Sequence, residues 1–160
     1  VGSSKDLGEL MKSGMRRLAS GVSVVCSRDA QGQPYAMTAS SITSLSADPA
    51  SLLVCINKAA AINGALSIAA PFVVNILRKG QEDISNICAG ADIGERFEVG
   101  QWRDNNQGVP CLQGCEVSFG CEVDKLVDYG THTIVIGRIV EIDLGDDSVQ
   151  PLIYCDGGYQ

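Results

Sequence analysis

The chain has 160 residues, a length that favours one domain over 1–160 with enough material to bury a core. Its formal charge is −7 and its sequence pI is about 4.6, while lysines and arginines are scattered apart from Arg16-Arg17 and Arg78-Lys79. Such a surface repels a phosphate backbone, which argues against a nucleic-acid partner. No apolar stretch approaches membrane-spanning length and no secretory signal opens the chain, so the expectation is no membrane partner and a reducing, cytoplasmic home.

The first predicted element is a helix over Lys5–Ser20, where Leu7, Leu10, Met11, Met15 and Leu18 repeat at helical spacing. Ser3 or Ser4 suits its start, Gly21 its exit, and its apolar face is expected to pack on a sheet. From Val22 the pattern changes to short runs bounded by turn formers: Val22–Ser27, Tyr35–Ala39, Ser51–Asn57 and Phe72–Leu77. The segment Arg28 to Gln33 reads as the hairpin loop between the first two. Ala59–Ala69 predicts a short helix before Pro71, and Gln81–Ala89 a second. The polar passage Gly90–Pro110 reads as a loop that packs as a flap or a dimer contact. Two longer strands follow, Cys115–Leu126 and His132–Leu144, around a tight Asp128–Thr131 reversal, and Pro151–Tyr154 makes a last strand. Strands that succeed one another without long intervening helices argue for an all-β antiparallel barrel with peripheral helices, against a doubly wound parallel sheet.

Seven cysteines stand at positions 26, 55, 88, 111, 115, 121 and 155, several inside apolar runs where a thiol serves as a small hydrophobe. Cys111, Cys115 and Cys121 raise the alternative of a metal site. Zinc favours four ligands in paired short spacings, and a Cys-x3-Cys-x5-Cys run with one distant histidine fits that poorly. The expectation is buried or free thiols and no metal.

Several nucleotide and hydrolase signatures are missing. There is no Gly-x-Gly-x-x-Gly between a strand and a helix, no phosphate-binding P-loop and no Gly-x-Ser-x-Gly. Any nicotinamide chemistry therefore needs another fold.

Three segments carry a resemblance. They are Met15-Arg-Arg-Leu-Ala-Ser-Gly21-Val-Ser-Val-Val; Ala36-Met-Thr-Ala-Ser-Ser-Ile-Thr-Ser-Leu-Ser46-Ala-Asp-Pro49 with Leu53-Val-Cys-Ile-Asn57-Lys; and Gly130-Thr-His132-Thr-Ile-Val-Ile-Gly137-Arg-Ile with Pro151-Leu-Ile-Tyr154. In order and spacing, over nearly the whole chain, they resemble the flavin reductase-like family, the small reductase components of two-component flavin monooxygenases. The resemblance implies a split β-barrel of antiparallel, Greek-key type, with flavin near the interface of a homodimer. It implies FAD or FMN as cosubstrate, NADH or NADPH as hydride donor, and a separate oxygenase that receives the reduced flavin.

The resemblance also carries site residues. Met37, Thr38, Ala39, Ser40, Ser41, Thr43 and Ser44 line the flavin, as do Cys55, Ile56 and Asn57. Lys58 is placed to meet a phosphate. Cys88 and Ala89 match a Phe-Ala pair beside the flavin in relatives, and Tyr159 a C-terminal aromatic that contacts the dinucleotide. Ala61 stands where relatives often carry a hydroxyl, and Cys155-Asp-Gly-Gly158 lacks the basic residues common there. His132, the single histidine, is the catalytic candidate: it orients the nicotinamide or bonds charge developing on the reduced flavin. Thr131 replaces the Asp frequent before it. The residues themselves support the pocket, since clustered hydroxyls and backbone N–H groups hold an anionic phosphate without a basic patch. Read alone, the same run is an ordinary Ser/Thr-rich strand and loop. An FMN-retaining electron carrier, a non-catalytic flavin-binding protein and a thiol- or metal-based sensor are the alternatives.

Overall fold

The structure, a computed structural model, describes residues 4–90 and 92–160. Helix α1 spans Ser4–Met15 and is followed by the short strand β1, Ser20–Gly21. Five of the next strands are β2 (Ser23–Arg28), β3 (Pro34–Ala39), β4 (Ile42–Ala47), β5 (Ala50–Asn57) and β6 (Pro71–Ile76). Helix α2 covers Glu82–Gly90, then come β7 (Trp102–Asp104) and β8 (Pro110–Leu112). The long strands β9 (Val117–Tyr129) and β10 (His132–Leu144) precede β11 (Ile153–Cys155) and β12 (Gly158–Tyr159).

Seven strands form one antiparallel sheet in the order β3-β2-β6-β9-β10-β5-β4. Laid flat, its edges would stand six strand spacings apart, roughly 29 Å. Yet β3 and β4 occupy opposite edges and are joined only by Ser40-Ser41, a link that reaches about 10 Å. The sheet therefore rolls until its edges approach at that corner. No ladder joins β3 to β4 among the described residues, so the rolled sheet is split there, in keeping with the expected split barrel.

Alternation along β2 and β6 feeds two cores. Val25, Phe72 and Val74 face the inside of the roll with Val54, Ile56, Cys121, Val123 and Val135. Val24, Cys26 and Val73 face the other way and pack with Ile84 and Cys88 of α2, Val109, Cys111 and Leu112. Gly137 of β10 makes the inner packing possible, because a Cβ there would run into the Phe72 ring. Asn75 is fully buried among the outer residues with all its polar capacity used. Its Nδ2 donates to the Val24 carbonyl at 3.0 Å, and its Oδ1 accepts from the Leu112 N–H at 2.9 Å and the Ser118 hydroxyl at 2.8 Å. One amide thus stitches β2, β6, β8 and β9 together. Removing it would strand several buried groups, at about 1–3 kcal/mol each.

The predicted order of strands holds, with local corrections. Helix α1 stops at Met15 instead of Ser20, since Ser20 and Gly21 pair with Tyr154 and Ile153 of β11. Its apolar face does not pack on the sheet: Leu7, Leu10, Met11, Met15 and Leu18 are all more than half exposed. Ser3 and the side chain of Ser4, the expected caps, lie outside the described residues. Ala59–Ala69 contains only a 3-10 turn, Ala61–Ala65, because Ala69 takes a left-handed φ of 68° to enter β6. The passage 90–110 is more ordered than a loop. It holds β7, paired with β8, and lays Phe97, Val99 and Trp102 on the outer core as a cover. Strand β4 was not expected as a separate element. The described cysteines carry no disulfide; Cys111 and Cys115 sit in the outer core, whereas Cys121 faces the inner one.

Candidate functional site

The Ser40-Ser41 link, where the two sheet edges meet, is also where two cavities meet. The larger holds about 640 Å³ between the end of α1 and the β4–β5 ladder. Met15, Leu18, Ile42, Leu53 and Ile76 give it apolar walls, and Ser20, Ser23, Ser40, Ser41, Thr43 and Cys55 give it small polar ones. The smaller, about 350 Å³, runs from Thr38, Ala39 and Ser40 to Ser85, Asn86 and Ala89 of α2, and is closed by Tyr154 and Tyr159. Both sizes suit a small-molecule site. Among the described residues, no carboxylate lines either one. A third cavity, also about 350 Å³, lies across the outer sheet against Asp104, Glu141 and Asp143, whose charges disfavour a phosphate-bearing ligand.

Local bonding fixes the walls. The Cys55 N–H donates to the Ser41 carbonyl at 3.3 Å while the Ser41 hydroxyl donates to the Cys55 carbonyl at 3.0 Å, so this pair closes on itself. Thr38 Oγ1 donates to the Ser85 carbonyl at 2.6 Å and ties β3 to α2. The Ser40 hydroxyl is exposed and has no protein partner among the described residues, which leaves it for a ligand. Asn57 folds the strand end over, its Oδ1 accepting the Ala59 N–H at 2.9 Å, and the Lys58 N–H donates to the Thr131 carbonyl at 2.9 Å.

His132 opens β10 directly opposite Asn57, with Thr133 opposite Ile56 and Ile134 opposite Cys55. It therefore stands two positions, about 7 Å, along the sheet from the Cys55 wall. The Thr131 hydroxyl lies 2.8 Å from its Nδ1, which leaves Nε2 as the outward ring nitrogen. The ring is exposed, and neither cavity wall includes it.

The expected residues thus divide. Thr38, Ala39, Ser40, Ser41, Thr43, Cys55, Ala89 and Tyr159 line the two neighbouring cavities. Asn57, Lys58 and His132 gather at the neighbouring sheet end. Ser44 is exposed on β4 beyond both cavities. Met37 packs against the inner core and Ile56 is wholly inside it, so Ile56 can offer a ligand only backbone. Cys88 is wholly buried in the outer core, and burial pushes its thiol up to about 11. Ala61 is exposed in the 3-10 turn. Residues not foreseen are Ser85, Asn86 and Tyr154, together with Ser20 and Ser23. The sequence signal for the first pair was a polar Ser-Asn step between the buried Ile84 and Cys88 of one helix.

Comparison with known proteins decides the family. Residues 15–160 match the profile of the flavin reductase like domain. The chain belongs to that family. The reductase component of an FADH(2)-dependent resorcinol hydroxylase from Rhizobium sp. is 32% identical over 96% of this chain and 86% of its own. An FMN reductase (NADH), RutF, from Cronobacter sakazakii is 32% identical over 94% of this chain and 90% of its own. A longer Rhizobium meliloti relative is 36% identical, and this chain spans 44% of it. Among solved structures, the NADH:FAD oxidoreductase of Streptomyces globisporus, in complex with NAD and FAD fragments, superposes with a TM-score of 0.88 at 25% identity, covering 100% of this chain and 94% of its own. A flavin reductase like domain needs a place for a flat ring and a phosphate. Two carboxylate-free cavities of small hydroxyl and apolar residues, with Ser40 in the wall of both, fit that need.

Proposed function

We propose that this flavin reductase like chain reduces free FAD or FMN with NADH or NADPH and releases the reduced flavin to a separate monooxygenase. The observation that carries the reading is the pair of carboxylate-free cavities meeting at the Ser40-Ser41 seam, within reach of His132 along the sheet. A bound flavin supplies the hydride-accepting chemistry; the chain supplies place and alignment. Apolar walls at Ile42, Leu53 and Ile76 exclude water from a ring, and Ser40, Ser41 and Thr43 offer hydroxyl and backbone contacts. Asn57 and Lys58, at the strand end, suit a phosphate. His132 Nε2 holds the nicotinamide in register or bonds charge developing on the ring.

The active unit in this proposal is a homodimer. Its support is the uncovered apolar face of α1 and the exposure of β4, since apolar area of that extent on one chain calls for a cover. A second copy over the β4–β5 side would also enclose His132, which a single chain leaves in solvent. Free thiols throughout suit the cytoplasm as the working compartment.

The test is a matrix of donors against flavins in steady state. Purified protein should oxidise NADH or NADPH only when FAD or FMN is added. His132→Ala should raise the donor KM by roughly ten-fold while flavin affinity stays within two-fold, as loss of one charge-linked hydrogen bond implies. Donor oxidation without added flavin, with colour that survives gel filtration, would instead establish an FMN-retaining electron carrier.

A further inference from the structure

The last eight residues are built unlike the rest of the chain. Strands β1, β11 and β12 form a small sheet of their own that shares no ladder with the seven-stranded one. Leu152 is the last fully buried residue: its N–H donates to the Leu77 carbonyl and its carbonyl accepts from the Val22 N–H, both at 3.0 Å. Beyond that anchor, Ile153 and Tyr154 are exposed. The chain then reverses at Asp156-Gly157, with φ of 51° and 77°, the left-handed pair that a tight two-residue hairpin requires. Tyr154 and Tyr159 face each other across that hairpin, ring centroids 5.4 Å apart and nearly edge-on. The segment is a stiff hairpin: β11 pairs with β1, Ser20 opposite Tyr154 and Gly21 opposite Ile153, and the Asp156 N–H donates to the Arg16 carbonyl at 2.7 Å, which leaves β12 as its outer edge.

Its far end is held to α2 by Tyr159. The Tyr159 hydroxyl lies 2.8 Å from both Ser85 Oγ and Asn86 Oδ1. With one proton to give, it donates to the amide oxygen, which can only accept, and accepts from the serine. Among the described residues, these two contacts are the polar ties between the hairpin and α2. The anchoring post is firm, because Ser85 is buried and its carbonyl accepts the 2.6 Å bond from Thr38. Thr38, Ser85, Asn86, Tyr154 and Tyr159 all wall the smaller cavity. A ligand in that cavity therefore sits between the sheet edge and the hairpin.

We infer that residues 153–160 form a latched strap over the smaller cavity, and that the Tyr159–Ser85–Asn86 contact sets how fast flavin enters and leaves. This rests on the flavin-reducing reading and adds the control of exchange. Tyr159 is here a positioning residue. Its ring packs on the outer core, so Tyr159→Phe removes the latch bonds and keeps the packing.

The first readout needs no flavin. Amide exchange at Asp156, which donates to the Arg16 carbonyl at 2.7 Å, reports opening of the strap. Tyr159→Phe should speed it by roughly five-fold or more, since two neutral hydrogen bonds are lost. Stopped-flow release of FMN and of FAD should quicken by a similar factor, with KM for flavin rising. Asn86→Ala should reproduce the change and Asn86→Asp, which keeps the acceptor, should restore slow release. Unchanged exchange and release in Tyr159→Phe and Asn86→Ala would overturn the latch. Absence of flavin-dependent oxidation in the wild-type protein would overturn the underlying reading instead, and the flavin-free exchange data keep the two failures apart.

Discussion

Seven thiols in one small chain are sorted by their surroundings. Burial pushes Cys121 up to about 12, and Cys26, Cys111 and Cys115 are raised by burial as well. A thiol so shifted carries almost no thiolate at neutral pH and reacts slowly. Cys55 and Cys155 are the two that reach solvent. Titration of the native protein with a disulfide reagent should therefore show two fast thiols and five that appear only on unfolding. Cys55 lines the larger cavity, so saturating FMN or FAD should slow one of the fast two. Seven fast thiols would show that the packing given by the two cores is wrong. At this scale the sequence was partly legible. Cys26, after Val24 and Val25, read correctly as a small hydrophobe, whereas Cys55, in the run Leu53-Val-Cys-Ile, faces the larger cavity instead. The opposite facing of Cys115 and Cys121 could not be read, because the strand expected from Cys115 begins only at Val117 and Cys115 lies in the bend before it.

Element by element, legibility followed periodicity. Strand β10 was placed at His132–Leu144 from its alternation, and the structure gives the same bounds. Strand β4 escaped because nearly all of it is exposed on both faces, so Thr43-Ser-Leu-Ser46 carries no alternating apolar signal. The C-terminal hairpin was missed for a different reason: Cys155-Asp-Gly-Gly158 was weighed for missing basic residues, while its Asp-Gly step is a hairpin signal. Gly137 shows what periodicity hides altogether. It interrupts an apolar run, yet the Phe72 ring fills the space where its Cβ would be. Gly137→Ala should lower stability by about 1–3 kcal/mol in denaturant melts, as overpacking does. A companion Phe72→Leu, Gly137→Ala double variant should recover part of that loss; equal melts for Gly137→Ala and wild type would mean that the contact is absent.

For the whole molecule, the uncovered face of α1 is the feature that the single chain leaves unexplained. Its helical spacing was legible, but its cover was not, because the pattern that marks an apolar face is the same whether the cover is the chain's own sheet or another subunit. Replacing Met11 with Asp places a charge in the centre of that face without touching either cavity. Light scattering should show wild-type dimers and Met11→Asp monomers, with donor oxidation falling at least ten-fold in the monomer. A wild type that is monomeric and fully active would refute the homodimer.

The corner at Ser40-Ser41 has one more consequence. Two rims of a curled surface are tied by a single short tether, and the proposed guest rests on that tether. Filling the hollow would brace a joint as well as occupy a space, so in the proposed cycle the shell stiffens while a flavin is held and slackens again when it departs.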